Sequence, residues 1–120
     1  LPLPVSVPSH CALMRPAAER FAESIAAINW QAPQIPLVQN VSAAVAADLD
    51  TLKRDLLEQL YKPVRWVESV QTLAANGATQ LVECGPGKVL AGLNKRCADG
   101  VSTANLNTPD AFAAARLALV

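Results

Sequence analysis

Trp66 to Arg96 reads WVESVQTLAANGATQLVECGPGKVLAGLNKR, and this stretch decides the fold. Trp66, Val67, Val70, Leu73 and Ala74 recur at helical spacing, and Asn76-Gly77 is the pair that ends a helix in the left-handed conformation. Gln80-Leu81-Val82-Glu83 then reads as a strand, Gly85-Pro86-Gly87 as a turn, and Val89, Leu90 and Leu93 as the start of a helix ending near Arg96. A strand entered from one helix and left through another belongs to a parallel α/β sheet, because parallel neighbours need a crossover.

The pattern extends in both directions. Upstream, Asp48 or Asp50 is placed to cap a helix running to about Tyr61, with Leu52, Leu56, Leu57 and Leu60 as its stripe and Lys62-Pro63 as its stop. Between Pro33 and Pro36 and that helix, Ile35, Leu37, Val38 and Val41 predict a short buried strand with Gln39-Asn40 at its end. A helix is expected from Arg15 to near Asn29, with Pro16 in its first turn and Phe21, Ile25 and Ile28 on one face. Val5-Ser6-Val7, fenced by Pro4 and Pro8, reads as a strand end leading into a corner that carries Ser9 and His10. Downstream, Val101 to Leu106 predicts a last strand, and Thr108 caps a helix that starts at Pro109 and runs through Leu119. His10, Asn40 and the Gly85 turn each follow a predicted strand, and parallel sheets collect their sites at the carboxyl ends of strands, so one crevice is expected to gather all three.

The 120 residues, about half of them apolar, suffice for one modest core. Ten basic and ten acidic side chains balance to a formal charge of zero, which gives no field toward nucleic acid or an anionic membrane. No apolar stretch reaches the roughly 20 residues of a membrane span. Cys11, Cys84 and Cys97 are odd in number and lack C-x-x-C spacing, so a reducing cytoplasm is the expected compartment. Leu1 opens directly onto the apolar run Leu1 to Val5 with no initiator Met, and the chain is therefore expected to be a piece of a longer one.

His10 is the only histidine. On a corner at a strand's end an imidazole can turn one nitrogen to a ligand and bond the protein through the other, which suits a general base near neutral pH. No serine here stands in a G-x-S-x-G elbow, so the base has no evident nucleophile. Cys11 adjoins His10, yet adjacent side chains on an extended segment diverge, and Cys11 is read as packing. Gly85-Pro86-Gly87-Lys88 precedes a helix but lacks the P-loop lengths, and reads as a tight strand-to-helix turn. Lys95-Arg96 suits the carboxyl end of a helix as a solvated pair. Nothing clusters for a metal.

Three blocks carry a resemblance. They are Val7-Pro8-Ser9-His10 with Met14 and Pro16, then Gln59-Leu60-Tyr61-Lys62-Pro63-Val64-Arg65-Trp66, then Glu83-Cys84-Gly85-Pro86-Gly87-Lys88-Val89-Leu90 with Gly92-Leu93. In order and spacing they resemble the C-terminal portion of the bacterial malonyl-CoA:acyl-carrier-protein transacylases. The resemblance implies acyl transfer in fatty-acid biosynthesis, in which a serine takes malonate from coenzyme A and passes it to the phosphopantetheine thiol of acyl carrier protein. It implies that His10 is the general base and acid and that the backbone carbonyl at Gln59 orients it, in place of an Asp. It puts Ser9 at the acyl pocket, beside the equal alternative of a serine bonding its own corner backbone, and Lys95 and Arg96 on the surface that docks acyl carrier protein; Asn40 is open to substrate contact or, the favoured reading, to tying down its own turn. The serine motif, the oxyanion glutamine loop and the malonate-binding arginine of the family match no residue here, and this chain alone is expected to be inactive. No cofactor is implied, since the coenzyme A thioester is substrate and the phosphopantetheine belongs to the partner.

The implied fold is the C-terminal part of a hydrolase-like parallel α/β core, residues 10–120, preceded in residues 1–9 by the last strand of a small ferredoxin-like subdomain. Two alternatives stand beside the standalone enzyme: an acyltransferase domain of a multidomain synthase, and a non-catalytic carrier-protein-binding module in which His10 is structural.

Overall fold

A computed structural model describes residues 7–118, which divide into two compact units between Ser69 and Val70. The expected strand end at Val5-Ser6-Val7 lies, except for Val7, outside the described residues, and Val7 is in no strand.

In the first unit a 3-10 turn over Ala12–Met14 leads into helix α1, Arg15–Ala26, with Pro16 in the first turn, where the missing N–H has no helical partner to lose. The helix stops at Ala26, short of the expected Asn29, and the Trp30 indole N–H donates to the Ile25 carbonyl at 2.8 Å, taking up one of the acceptors the helix end exposes. Ala18 and Ile25 are buried, whereas Phe21 and Ile28 of the expected stripe are 38% and 54% exposed.

Helix α2, Leu49–Glu58, packs against α1 and buries Leu52. Of the two capping candidates it uses Asp48, whose Oδ1 accepts the Thr51 N–H at 2.7 Å. Hydrogen bonds from Thr51 hold the Asp48 carboxyl below the usual carboxylate range. Tyr61, just beyond α2, lies under the Arg15 guanidinium, 4.4 Å from ring centroid to the charged carbon.

The strand expected over Ile35 to Val41 is reduced to a single antiparallel bridge between Val38 and Val45. Pro33 and Pro36 remove two N–H donors, and among the described residues no strand lies against residues 35–37 to accept a ladder, so Ile35 is 80% and Leu37 49% exposed. What forms is a tight turn: the Gln39 N–H donates to the Ala44 carbonyl and the Ala43 N–H to the Gln39 carbonyl. The buried Gln39 side chain donates through Nε2 to the Leu52 carbonyl at 3.3 Å and ties that turn to α2.

Helix α3, Trp66–Ala75, contains the boundary between the units. It ends as its sequence predicts, with Gly77 at φ 90 and the Ala78 N–H donating back to the Leu73 carbonyl at 3.0 Å.

The second unit is a βαβ arrangement. Strands β1, Gln80–Glu83, and β2, Ser102–Asn105, pair in parallel with Gln80 opposite Ser102 and Glu83 opposite Asn105, and helix α4, Val89–Asn94, crosses between them and packs on both. The helix stops at Asn94, two residues short of the expected Arg96, and the residues that begin it stay open, Val89, Leu90 and Leu93 being 71%, 37% and 42% exposed, while Ala91 and Asn94 are buried. Fewer than two turns of helix cannot separate neighbouring faces by spacing alone, and the small Ala91 permits the closest approach to the strands. Glu83 accepts the Ala91 N–H through Oε2 at 2.8 Å, so a carboxylate from the end of β1 caps α4. Helix α5, Pro109–Ala118, packs on β2 and is capped by Thr108, whose Oγ1 accepts the Ala111 N–H at 3.1 Å.

Candidate active site

Helix α2 ends in a way that leaves two acceptors unused. Beyond Glu58 the chain tightens, with the Leu60 N–H donating to the Leu57 carbonyl and the Tyr61 and Lys62 N–H groups both donating to the Glu58 carbonyl. A regular helix would next offer the N–H of residue 63 to the Gln59 carbonyl, and Pro63 has none. The Gln59 and Leu60 carbonyls therefore point outward at the negative end of the helix dipole.

His10 takes both. Its backbone N–H donates to the Leu60 carbonyl at 3.1 Å, and its ring Nδ1 lies 2.6 Å from the Gln59 carbonyl oxygen. A carbonyl oxygen can only accept, so that contact requires the proton on Nδ1 and leaves Nε2 of the neutral ring with its lone pair. His10 sits at φ 59, an uncommon conformation for a residue with a side chain, and the two bonds to α2 hold it there. His10 is exposed, and its Nε2 has no hydrogen-bond partner among the described residues. Cys11 does not join it, since its thiol lies 3.2 Å from the Pro8 carbonyl.

A second ring of contacts holds Gln59. The Asn40 amide donates through Nδ2 to Gln59 Oε1 at 3.1 Å, while the Asn40 carbonyl accepts the Arg65 N–H at 2.8 Å. Arg65 also donates through Nη1 to the Ser42 carbonyl at 3.0 Å and through Nε to Glu68 Oε1 at 3.3 Å. The Glu68 carboxyl is held below its ordinary range, first by its own backbone N–H and then by Arg65. The turn bearing Asn40, the end of α2 and the start of α3 are thus sewn together around one carbonyl.

The first unit brings His10, Gln59 and Asn40 into one constellation, with Ser9 exposed on the same corner. The Gly85 turn, Lys95 and Arg96 belong to the second unit, the two cations exposed just past α4. There Lys88 and Lys95 line a shallow cleft with Thr103 and Asn105. Sequence reasoning missed the Leu60 carbonyl, which any residue type could supply, and the Arg65 latch, for which spacing carries no signal. It noted Pro63 only as a helix stop; the missing donor at that position is the signal that an acceptor four residues earlier is free.

No family model matches the chain. Over 115 residues, 96% of its length, it is 51% identical to the malonyl CoA-acyl carrier protein transacylase of Escherichia coli K12 and covers 37% of that protein. The solved malonyl-CoA:acyl carrier protein transacylase of Xanthomonas oryzae pv. oryzae superposes with a TM-score of 0.91 at 50% identity, over 97% of this chain and 37% of that one. A type II polyketide-synthase malonyl-transacylase, solved in complex with its acyl-carrier protein, gives a TM-score of 0.88 at 44% identity over 96% of this chain. These similarities fall in the C-terminal portion of the transacylases, and the chain spans little more than a third of their length.

Proposed function

We propose that this chain, alike over nearly its whole length to the C-terminal portion of the malonyl CoA-acyl carrier protein transacylases, is the histidine-bearing part of such an enzyme. The observation that carries the reading is the Nδ1 contact of His10 with the Gln59 carbonyl, which presents Nε2 as a base.

In the reaction, Nε2 of His10 takes the proton of a serine hydroxyl supplied by the remainder of the enzyme, and the serine oxygen attacks the thioester carbonyl of malonyl-CoA. The imidazolium returns the proton to the departing coenzyme A sulfur, leaving malonate as a serine ester. The phosphopantetheine thiol of acyl carrier protein then gives its proton to Nε2 and attacks the ester, and the serine oxygen leaves with that proton. The Gln59 carbonyl stabilises the imidazolium in both halves by accepting from Nδ1, as an Asp does in other triads. Ser9, on the same corner, lines the acyl pocket, and Lys95 and Arg96 meet the acidic carrier protein. No resident cofactor takes part. Residues 10–120 complete a hydrolase-like core and residues 1–9 close a ferredoxin-like subdomain. The enzyme is one of cytoplasmic fatty-acid synthesis; no described helix is long and apolar enough to cross a membrane.

The test is malonyl transfer from coenzyme A to acyl carrier protein by the intact protein and its His10→Ala variant. The variant is expected to lose about three orders of magnitude or more, the scale of removing a catalytic base and its unit. An intact protein that folds and binds carrier protein yet transfers nothing would instead be a binding module.

A further inference from the structure

We propose that Asn40 is a positioning residue for His10, acting through the side chain of Gln59. The inference rests on the transacylase reading and adds to it a residue that never touches the reacting atoms. The peptide carbonyl of Gln59 lies beyond the last regular residue of α2, and its helical donor is missing at Pro63. No helical donor takes that carbonyl; its peptide plane is held from the other side, where the Leu60 N–H donates to the Leu57 carbonyl at 3.2 Å, and the anchors of Gln59 itself settle how firmly the oxygen is placed. Those anchors are His10 on the backbone side, at 2.6 Å, and Asn40 on the side-chain side, at 3.1 Å. Asn40 is fixed in turn, because its own carbonyl accepts the Arg65 N–H at 2.8 Å and Arg65 grips the Ser42 carbonyl of the same turn. The order Arg65, Asn40, Gln59, His10 runs from the start of α3 to the imidazole through bonded contacts alone.

The amide of Asn40 is thus spent on Gln59. Without it, Gln59 Oε1, half-buried, loses its partner, the link between the Asn40 turn and the end of α2 is cut, and the last turn that carries the acceptor for Nδ1 is held less tightly against His10. The ring then populates the tautomer with the proton on Nε2, which cannot accept from serine.

In the intact transacylase, Asn40→Ala and Gln59→Ala, which keeps the backbone carbonyl, are each expected to lower kcat about three- to tenfold with KM for malonyl-CoA unchanged. The double variant is expected to fall no further, since both changes cut the same link. Asn40→Asp is expected to recover the rate, because the Gln59 amide can turn and donate Nε2 to the new carboxylate, and adding Gln59→Glu to it removes the only donor and abolishes the recovery. Nitrogen-15 shifts of the His10 ring should report the Nδ1–H tautomer in the wild type and Asn40→Asp and a mixture in the others. The proposal is overturned if Asn40→Ala leaves kcat within about twofold and the tautomer unchanged, if the two single losses multiply, or if KM alone moves. Transfer that survives His10→Ala would sink the transacylase reading instead, while the ring tautomer would still decide the role of Asn40.

Discussion

Pro63→Ala restores one N–H, and the geometry of α2 says where that N–H will go. Residue 63 stands four places after Gln59, the offset of a helical hydrogen bond, and loss of the proline ring also frees Lys62 to enter the helical region. The new donor competes with His10 Nδ1 for the Gln59 carbonyl, at present 2.6 Å from the ring. A hydrogen bond of this kind contributes about 0.5–1.5 kcal/mol net. Halving its occupancy or losing it outright therefore lowers the share of correctly held imidazole by roughly two- to tenfold, at about 1.4 kcal/mol per factor of ten. The assay is kcat for malonyl transfer by the intact enzyme, paired with hydrogen exchange at the amide of residue 63. A slowed amide with kcat reduced by that factor is expected. An amide protected by the Gln59 carbonyl together with an unchanged kcat would refute the claim that this carbonyl orients the catalytic ring.

Two further predictions concern stability. Gly77→Ala meets no atom within 4 Å of the added Cβ, so its effect isolates the backbone at φ 90; a loss of about 1 kcal/mol, read as a lower Tm, is expected, and no loss would mean that the helix end relaxes freely. Asp48→Asn keeps a capping side chain and removes its charge. Because the folded carboxyl lies below its ordinary 3.8, the charge stabilises the fold above that pH and the benefit disappears as pH falls through the lowered value. The wild type is therefore expected to melt at a higher Tm than the Asp48→Asn variant at neutral pH, and the difference should vanish in strong acid; a difference that grows on acidification would contradict the hydrogen bond from Thr51.

The elements that sequence located best are those whose ends are written in local chemistry. Asn76-Gly77 ends α3 because glycine accepts the positive φ that the motif requires, and Thr108-Pro109 begins α5 because the hydroxyl accepts a free N–H where proline lacks one. The strand over Ile35 to Val41 was misplaced because a strand is completed by its neighbour, and residues 35–37 have none among the described residues. The buried face of α4 is not written in its spacing, because so short a helix offers its partner several faces of similar apolarity.

For the site, the one imidazole, the corner that carries it and the proline that strips Gln59 of its helical donor all follow from residue type at a given position. It takes the folded chain to bring the freed carbonyls of Gln59 and Leu60 to His10, 49 residues away from Gln59 in sequence, and to set Asn40 and Arg65 as braces of the contact. The reason is that a backbone carbonyl looks the same under every side chain: its value as an acceptor comes from where the chain stops using it, and its partner from which segment folds against it.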